Sequence, residues 1–125
     1  MPRSEPRQIG ELDLQVEKTS SRVLLRLTGK VTVESSPHLR DQLLAVLNDA
    51  ALDQVMIDLT GVPYLDLSGI ATLIEALKIA RAKRSHLVLM GLQDGPHYLL
   101  EVSGVLPFFE EANDTRQDAT VKGQE

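Results

Sequence analysis

The sequence predicts an α/β domain, and three observations predict it. Residues 54–59, 70–80 and 87–90 read in turn as a nearly continuous apolar run, an apolar stripe at helical spacing and a second apolar run. That succession is the mark of a strand, helix, strand unit whose strands are covered on both faces. Upstream, Leu12, Leu14 and Val16 alternate with Asp13, Gln15 and Glu17, the period of a half-buried strand. With 125 residues, 42% of them hydrophobic and 25% charged, the chain suits one core and is far from a disordered composition.

Taken in order, the alternating segment from residue 12 is followed by a turn at Thr19-Ser20-Ser21 and a second strand over 23–27 that ends at Thr28-Gly29, which suggests a hairpin. Ser35 and Ser36 precede Pro37, an arrangement that starts helices because a hydroxyl caps free N–H groups while proline suits the first turn. Leu39, Leu43, Leu44 and Leu47 then share one face, so a helix is expected over 37–48. The apolar strand at 54–59 is broken by Thr60-Gly61-Val62-Pro63.

The clearest helix runs over 69–83, with Ile70, Leu73, Ile74, Leu77 and Ala80 on one stripe and Glu75, Lys78, Arg81 and Lys83 off it. With the strand at 87–90 it completes a parallel, right-handed crossover unit over 54–90. Gly95-Pro96 opens a shorter helix through Tyr98, Leu99 and Val102, stopped by Ser103-Gly104, and Pro107-Phe108-Phe109 begins a last strand. A flexible segment over 1–10 and a polar tail over 113–125 flank a domain placed at 11–112.

Composition excludes several classes of function. A net charge of −5 argues against direct nucleic-acid binding, which needs a basic surface to neutralise phosphates. Cysteine is absent, so no disulfide framework, thiol nucleophile or cysteine metal site is available; a reducing cytoplasm suits such a chain. Residues 1–10 lack the apolar run of a signal peptide, and no apolar run approaches the ~20 residues of a membrane span, so a soluble protein without direct membrane insertion is expected. Catalysis has no visible site: Ser68 is not in a G-x-S-x-G turn, and His38, His86 and His97 share no metal-ligand spacing. No glycine-rich phosphate loop appears, and no cofactor is expected.

Ser68 is the informative residue. It lies where the segment Asp66-Leu67-Ser68-Gly69-Ile70 turns into the strongest helix, among first-turn N–H groups that have no intrahelical partner. Its plain reading is a helix N-cap, although Ala71 rules out a capping box. Its functional reading is a phosphorylation site, where about two added negative charges are tolerated by the fold and change the surface. Asp66 has two readings as well: an Asx-turn former, or a carboxylate that shapes the loop presenting Ser68.

The run Asp58-Leu59-Thr60-Gly61-Val62 followed by Leu65-Asp66-Leu67-Ser68-Gly69-Ile70 resembles the signature of STAS domains, in particular of bacterial anti-sigma factor antagonists. Leu27-Thr28-Gly29-Lys30-Val31, Leu87-Val88-Leu89 and Leu100-Glu101-Val102-Ser103-Gly104-Val105 extend the likeness over about residues 12–110. The resemblance implies a mixed sheet of four to five strands with helices on one side, and a non-enzymatic regulator of transcription that works by partner switching. The partner so implied is an anti-sigma factor serine kinase of histidine-kinase-like ATPase fold, bound until Ser68 is phosphorylated, with a phosphatase as a further partner.

On the same footing, the partner surface is expected at Lys30, Thr32, Asp66, Leu67, Ser68, Gly69, Thr72 and Lys78. The pattern is departed from in two places: Leu67 replaces a small polar residue, and the segment Lys30-Val31-Thr32-Val33 replaces a commoner acidic turn. A second branch with similar motifs consists of STAS subunits of ABC-type phospholipid transport systems, whose partner is the transporter ATPase. Lys78, Arg81, Lys83 and Arg84 are read either as a solvated helix face or as a docking patch for an acidic partner.

Overall fold

The computed structural model describes residues 12–48 and 52–112; the flanking segments at 1–10 and 113–125 lie outside the described residues. The first two strands, β1 (Leu12–Thr19) and β2 (Arg22–Val31), do form an antiparallel hairpin, but the alternation in β1 does not translate into a buried face: Leu12 is buried, Leu14 partly so, and Val16 is exposed on this edge strand. They are followed by α1 (Ser36–Leu47), β3 (Gln54–Leu65), α2 (Leu67–Ala82), β4 (His86–Met90), α3 (Asp94–Val102), a 3-10 turn at Leu106–Phe108 and β5 (Glu110–Ala112).

The five strands form one sheet in the order β1-β2-β3-β4-β5, parallel from β2 onward. Register explains which face is buried. Val23, Val55 and Leu87 are aligned neighbours, as are Leu25, Ile57 and Leu89, and all six are buried. The other face, expected to be covered as well, is not packed by the helices and carries the rows Leu24, Met56, Val88 and Arg26, Asp58, Met90, of which only Val88 and Asp58 are buried. Helical residues Leu39, Leu43, Leu47, Leu73, Ala80 and Leu100 complete the core on the first face. Each crossover from β2 to β5 advances one strand in the same direction, and right-handed connections of that kind keep their helices on one side of the sheet.

Three boundaries differ from expectation. The break at Thr60-Gly61-Val62-Pro63 is not an end: β3 continues to Leu65 beside a lengthened β2, through register shifts between Arg26 and Thr28 and between Thr28 and Lys30. An irregular ladder of that kind tolerates Pro63. Gly61 faces Thr28 there, and a Cβ on it would lie 3.0 Å from the Leu27 carbonyl oxygen. The main helix begins at Leu67, two residues early, because Asp66 caps it. The last strand starts only at Glu110, since Leu106–Phe108 forms a 3-10 turn that drops Phe109 into the core.

Candidate docking surface at the start of α2

Asp66 organises the site. Its backbone is extended, with φ −106° and ψ −173°, so its carboxylate points back at the free amides of α2. Oδ1 accepts from the Ser68 amide at 2.9 Å, the Gly69 amide at 3.2 Å and the Ser68 hydroxyl at 2.6 Å. Oδ2 accepts from the Val33 amide at 3.1 Å, and the Asp66 amide donates to the Val31 carbonyl at 3.0 Å. One side chain thus caps a helix and ties the β3–α2 connection to the turn after β2. Desolvation pushes its pKa up, but the Ser68 hydroxyl and the amides of Gly69, Ser68 and Val33 outweigh that and hold the carboxyl below its usual range.

The reading of Ser68 as the N-cap is therefore corrected: Asp66 is the cap and Ser68 is the second residue of the helix. Its half-buried hydroxyl serves the cap and does not make it. Ser35 likewise makes no side-chain cap for α1. Fully buried, it donates to the Lys30 carbonyl at 2.7 Å and accepts from the Thr32 amide at 2.9 Å, bracing the turn that carries Val33.

Of the residues expected at a partner surface, Lys30, Thr32, Asp66, Leu67 and Ser68 come together around this junction. Leu67 is 66% exposed and Val33 70% exposed, two apolar side chains on the two tied segments. Gly69 and Thr72 lie beneath the surface. A Cβ on Gly69 would meet Leu65 Cδ1 at 2.4 Å and Val31 Cγ1 at 2.8 Å, and the Thr72 hydroxyl donates to the Ser68 carbonyl at 3.0 Å. Both build the site from below. Lys78 is ten residues along α2 from Ser68, about 15 Å of helical rise, and belongs to the other end of the helix.

Sequence reasoning missed the aromatic wall beside this junction. Tyr64 and Tyr98, both more than half exposed, line a cleft of about 370 Å³ with Pro63, Leu67 and Leu99, between the end of β3 and α3. The two tyrosines are 34 positions apart, and only the sheet topology brings them together. The bidentate pair of Arg40 and Glu75, at 2.7 and 2.8 Å, which joins α1 to α2, was equally invisible. Among the described residues no cluster of acidic or histidine side chains fits a metal, and no helix is long and apolar enough to cross a membrane.

A mixed sheet with helices on one face, and an Asp-x-Ser-Gly cap at the start of the helix after β3, define a STAS domain. The chain belongs to that family: the family model described as "Mlab, STAS domain" matches residues 14–106. It is 28% identical over 97 residues to the anti-sigma-B factor antagonist of Listeria monocytogenes, covering 78% of this chain and 84% of that protein. Among solved structures, the anti-sigma factor antagonist SpoIIAA in its unphosphorylated form superposes with a TM-score of 0.72 at 17% identity, over 90% of this chain and 99% of that one. The Bacillus cell fate determinant SpoIIAA in the phosphorylated form gives 0.66 at 16% identity, over 87% and 99%. These two likenesses show the fold.

Proposed function

We propose that this chain is an anti-sigma factor antagonist that binds an anti-sigma factor serine kinase through the junction of Asp66, Ser68 and the Val33 turn, and is released by phosphorylation of Ser68. The observation that carries the reading is the placement of the Ser68 hydroxyl: half-buried on the first turn of α2, between exposed Leu67 and a carboxylate already committed to four donors. A phosphate there replaces a donated hydrogen bond by about two negative charges facing Asp66, at the rim of an apolar contact surface. Desolvating that charge against a partner is costly, so affinity falls while the core is untouched. The antagonist named among the relatives of this chain supports the role.

The reading fits a regulator without catalysis of its own, the ATP and the phosphoryl transfer belonging to the kinase, and a phosphatase reversing the mark. The cytoplasm is the compartment in which such a cycle operates. The test is capture from native cells with wild type and Ser68→Asp as parallel baits. Capture of a histidine-kinase-like serine kinase by wild type and not by Ser68→Asp supports the proposal. Equal affinity of that kinase for wild type, Ser68→Asp and phosphorylated protein sinks it.

The exposed Leu67 favours a second reading, in which the chain is the STAS subunit of an ABC-type phospholipid transport system and docks on its ATPase. An apolar anchor outside the phosphorylated group suits a standing contact better than a switched one. Capture of an ABC ATPase irrespective of the Ser68 substitution selects this reading.

A further inference from the structure

The opposite end of α2 is rich in cations. From Ala76 to Gln93 there is no acidic residue, in a chain that has 18, and Lys78, Arg81, Lys83, Arg84 and His86 fall inside this window. Structure turns that run into a surface: Lys78, Arg81, Lys83, Arg84 and His86 are all exposed, around the C-terminal end of the helix and the first residue of β4.

The surface is concave and partly apolar. One cleft of about 350 Å³ is lined by Leu77, Arg81, Arg84, His86 and Phe108 together with Glu110. A second, of about 250 Å³, adjoins it through Leu77, Arg81 and Phe108 and is closed by Ile74, Lys78 and Val105. Phe108 is 58% exposed. Arg81 is held in place by a 3.0 Å bond from Nη2 to the Phe108 carbonyl, which fixes the guanidinium between the clefts. Glu110 is the carboxylate in the lining, and it is engaged with His86 Nδ1 at 2.8 Å.

We propose that the C-terminal half of α2 is a second docking surface, whose occupant is an acidic segment of a partner protein carrying an apolar side chain flanked by carboxylates. Charge complementarity selects the carboxylates, because four of the 13 lysines and arginines gather on this exposed surface although the chain as a whole is at −5. The apolar floor of Leu77, Val105 and Phe108 selects the side chain between them. A nucleic acid is disfavoured, since its binding rests on wide phosphate neutralisation and has no use for an aliphatic pocket.

The test is an amide NMR titration of the full chain with a short peptide in which one leucine is flanked by glutamates. The expected result is saturable shifts confined to residues 77–87 and 105–110, weakened about tenfold by Lys78→Glu with Arg84→Glu, in line with the loss of paired charges at a rim. Replacing the peptide's leucine by serine should also weaken binding several-fold. Both substituted residues are exposed, and unchanged shifts elsewhere in the spectrum establish that the variant is folded; Phe108→Ala provides a second, uncharged probe of the pocket. No saturable shift in this region overturns the proposal, as does equal binding of the serine peptide, or tighter binding of oligothymidylate or phosphatidylglycerol vesicles. The surface is separate from Ser68, so Ser68→Asp leaves the titration unchanged whichever reading of that site holds.

Discussion

The Ser68 hydroxyl and the Asp66 carboxylate share a 2.6 Å hydrogen bond, and the same carboxylate holds the Val33 amide at 3.1 Å from its other oxygen. One carboxylate thus links the serine to the turn after β2, 35 positions away.

A phosphate on Ser68 removes a donor and sets a dianion beside an ionised carboxylate, which weakens the hold on Val33. Hydrogen exchange at the Val33 amide should accelerate, by about tenfold if roughly 1.4 kcal/mol of the latch is lost. Comparison of phosphorylated and unmodified protein by amide exchange checks this. An unchanged rate at Val33, with changes confined to residues 66–72, would show that the two segments are not coupled.

Stability should separate the two residues. Asp66→Ala loses a helix cap and the Val33 tie and should cost about 2 kcal/mol, whereas Ser68→Ala keeps the cap and should cost about 1 kcal/mol or less. Urea unfolding midpoints measure both. The reverse order would return the cap to Ser68.

Acid should find the same carboxylate. The folded-state pKa of Asp66 is depressed, as is that of Asp58, where burial is outweighed by bonds from Thr60 and Arg26. Groups of this sign stabilise fully above the unfolded value of about 3.9 and lose that contribution as pH falls through the folded value. His86, raised by its bond to Glu110, has the opposite sign: its contribution is complete below about 6.5 and is lost as pH rises through the folded value. Stability measured from about pH 5 downward should fall less steeply for Asp66→Asn than for the wild type.

Two glycines are fixed by space. A Cβ on Gly91, whose φ is +74°, would sit 2.1 Å from Thr60 Oγ1 and 3.0 Å from the Thr60 amide nitrogen. Gly91→Ala should cost about 2 kcal/mol or more. Gly69→Ala gains about 1 kcal/mol of helix propensity. It forces a methyl onto the buried side chains of Leu65 and Val31, so the net effect should still be destabilising by about 1 kcal/mol. Thermal unfolding checks both, and a stabilised Gly69→Ala would mean that the floor of the site yields.

Periodicity made the core legible. Leu39, Leu43 and Leu47 in α1, and Ile70, Leu73, Leu77 and Ala80 in α2, are buried as their spacing implies. Ser68 was legible as special because a hydroxyl next to a strong amphipathic stripe marks a helix start. What escaped were the individual side-chain contacts between partners distant in sequence. The bonds from the Ser68 and Gly69 amides to Asp66 are of the local, Asx-turn kind the sequence suggests, but the bond from the Val33 amide is one that no local pattern contains. Ser35 looks like a cap in sequence and is a brace in space, because the Lys30 carbonyl and Thr32 amide compete for its hydroxyl. β3 reads through Gly61 and Pro63 because the neighbouring strand supplies the irregular register. The tyrosine-lined cleft needed the parallel order of the strands.

That order divides the molecule into two ends. Each connection from a parallel strand into a helix, at residues 32–35, 66 and 91–93, opens at the carboxyl ends of the strands, and the returns from α2 and α3 lie at the other. The 16 residues of α2, about 24 Å of rise, act as a stiff spacer between them. Changes made at one end should combine with changes at the other by simple addition of their free energies. If both proposed surfaces bind, a domain of this size would work as a coupler with independently adjustable faces: one could be redesigned for a new client while the grip of the other is kept.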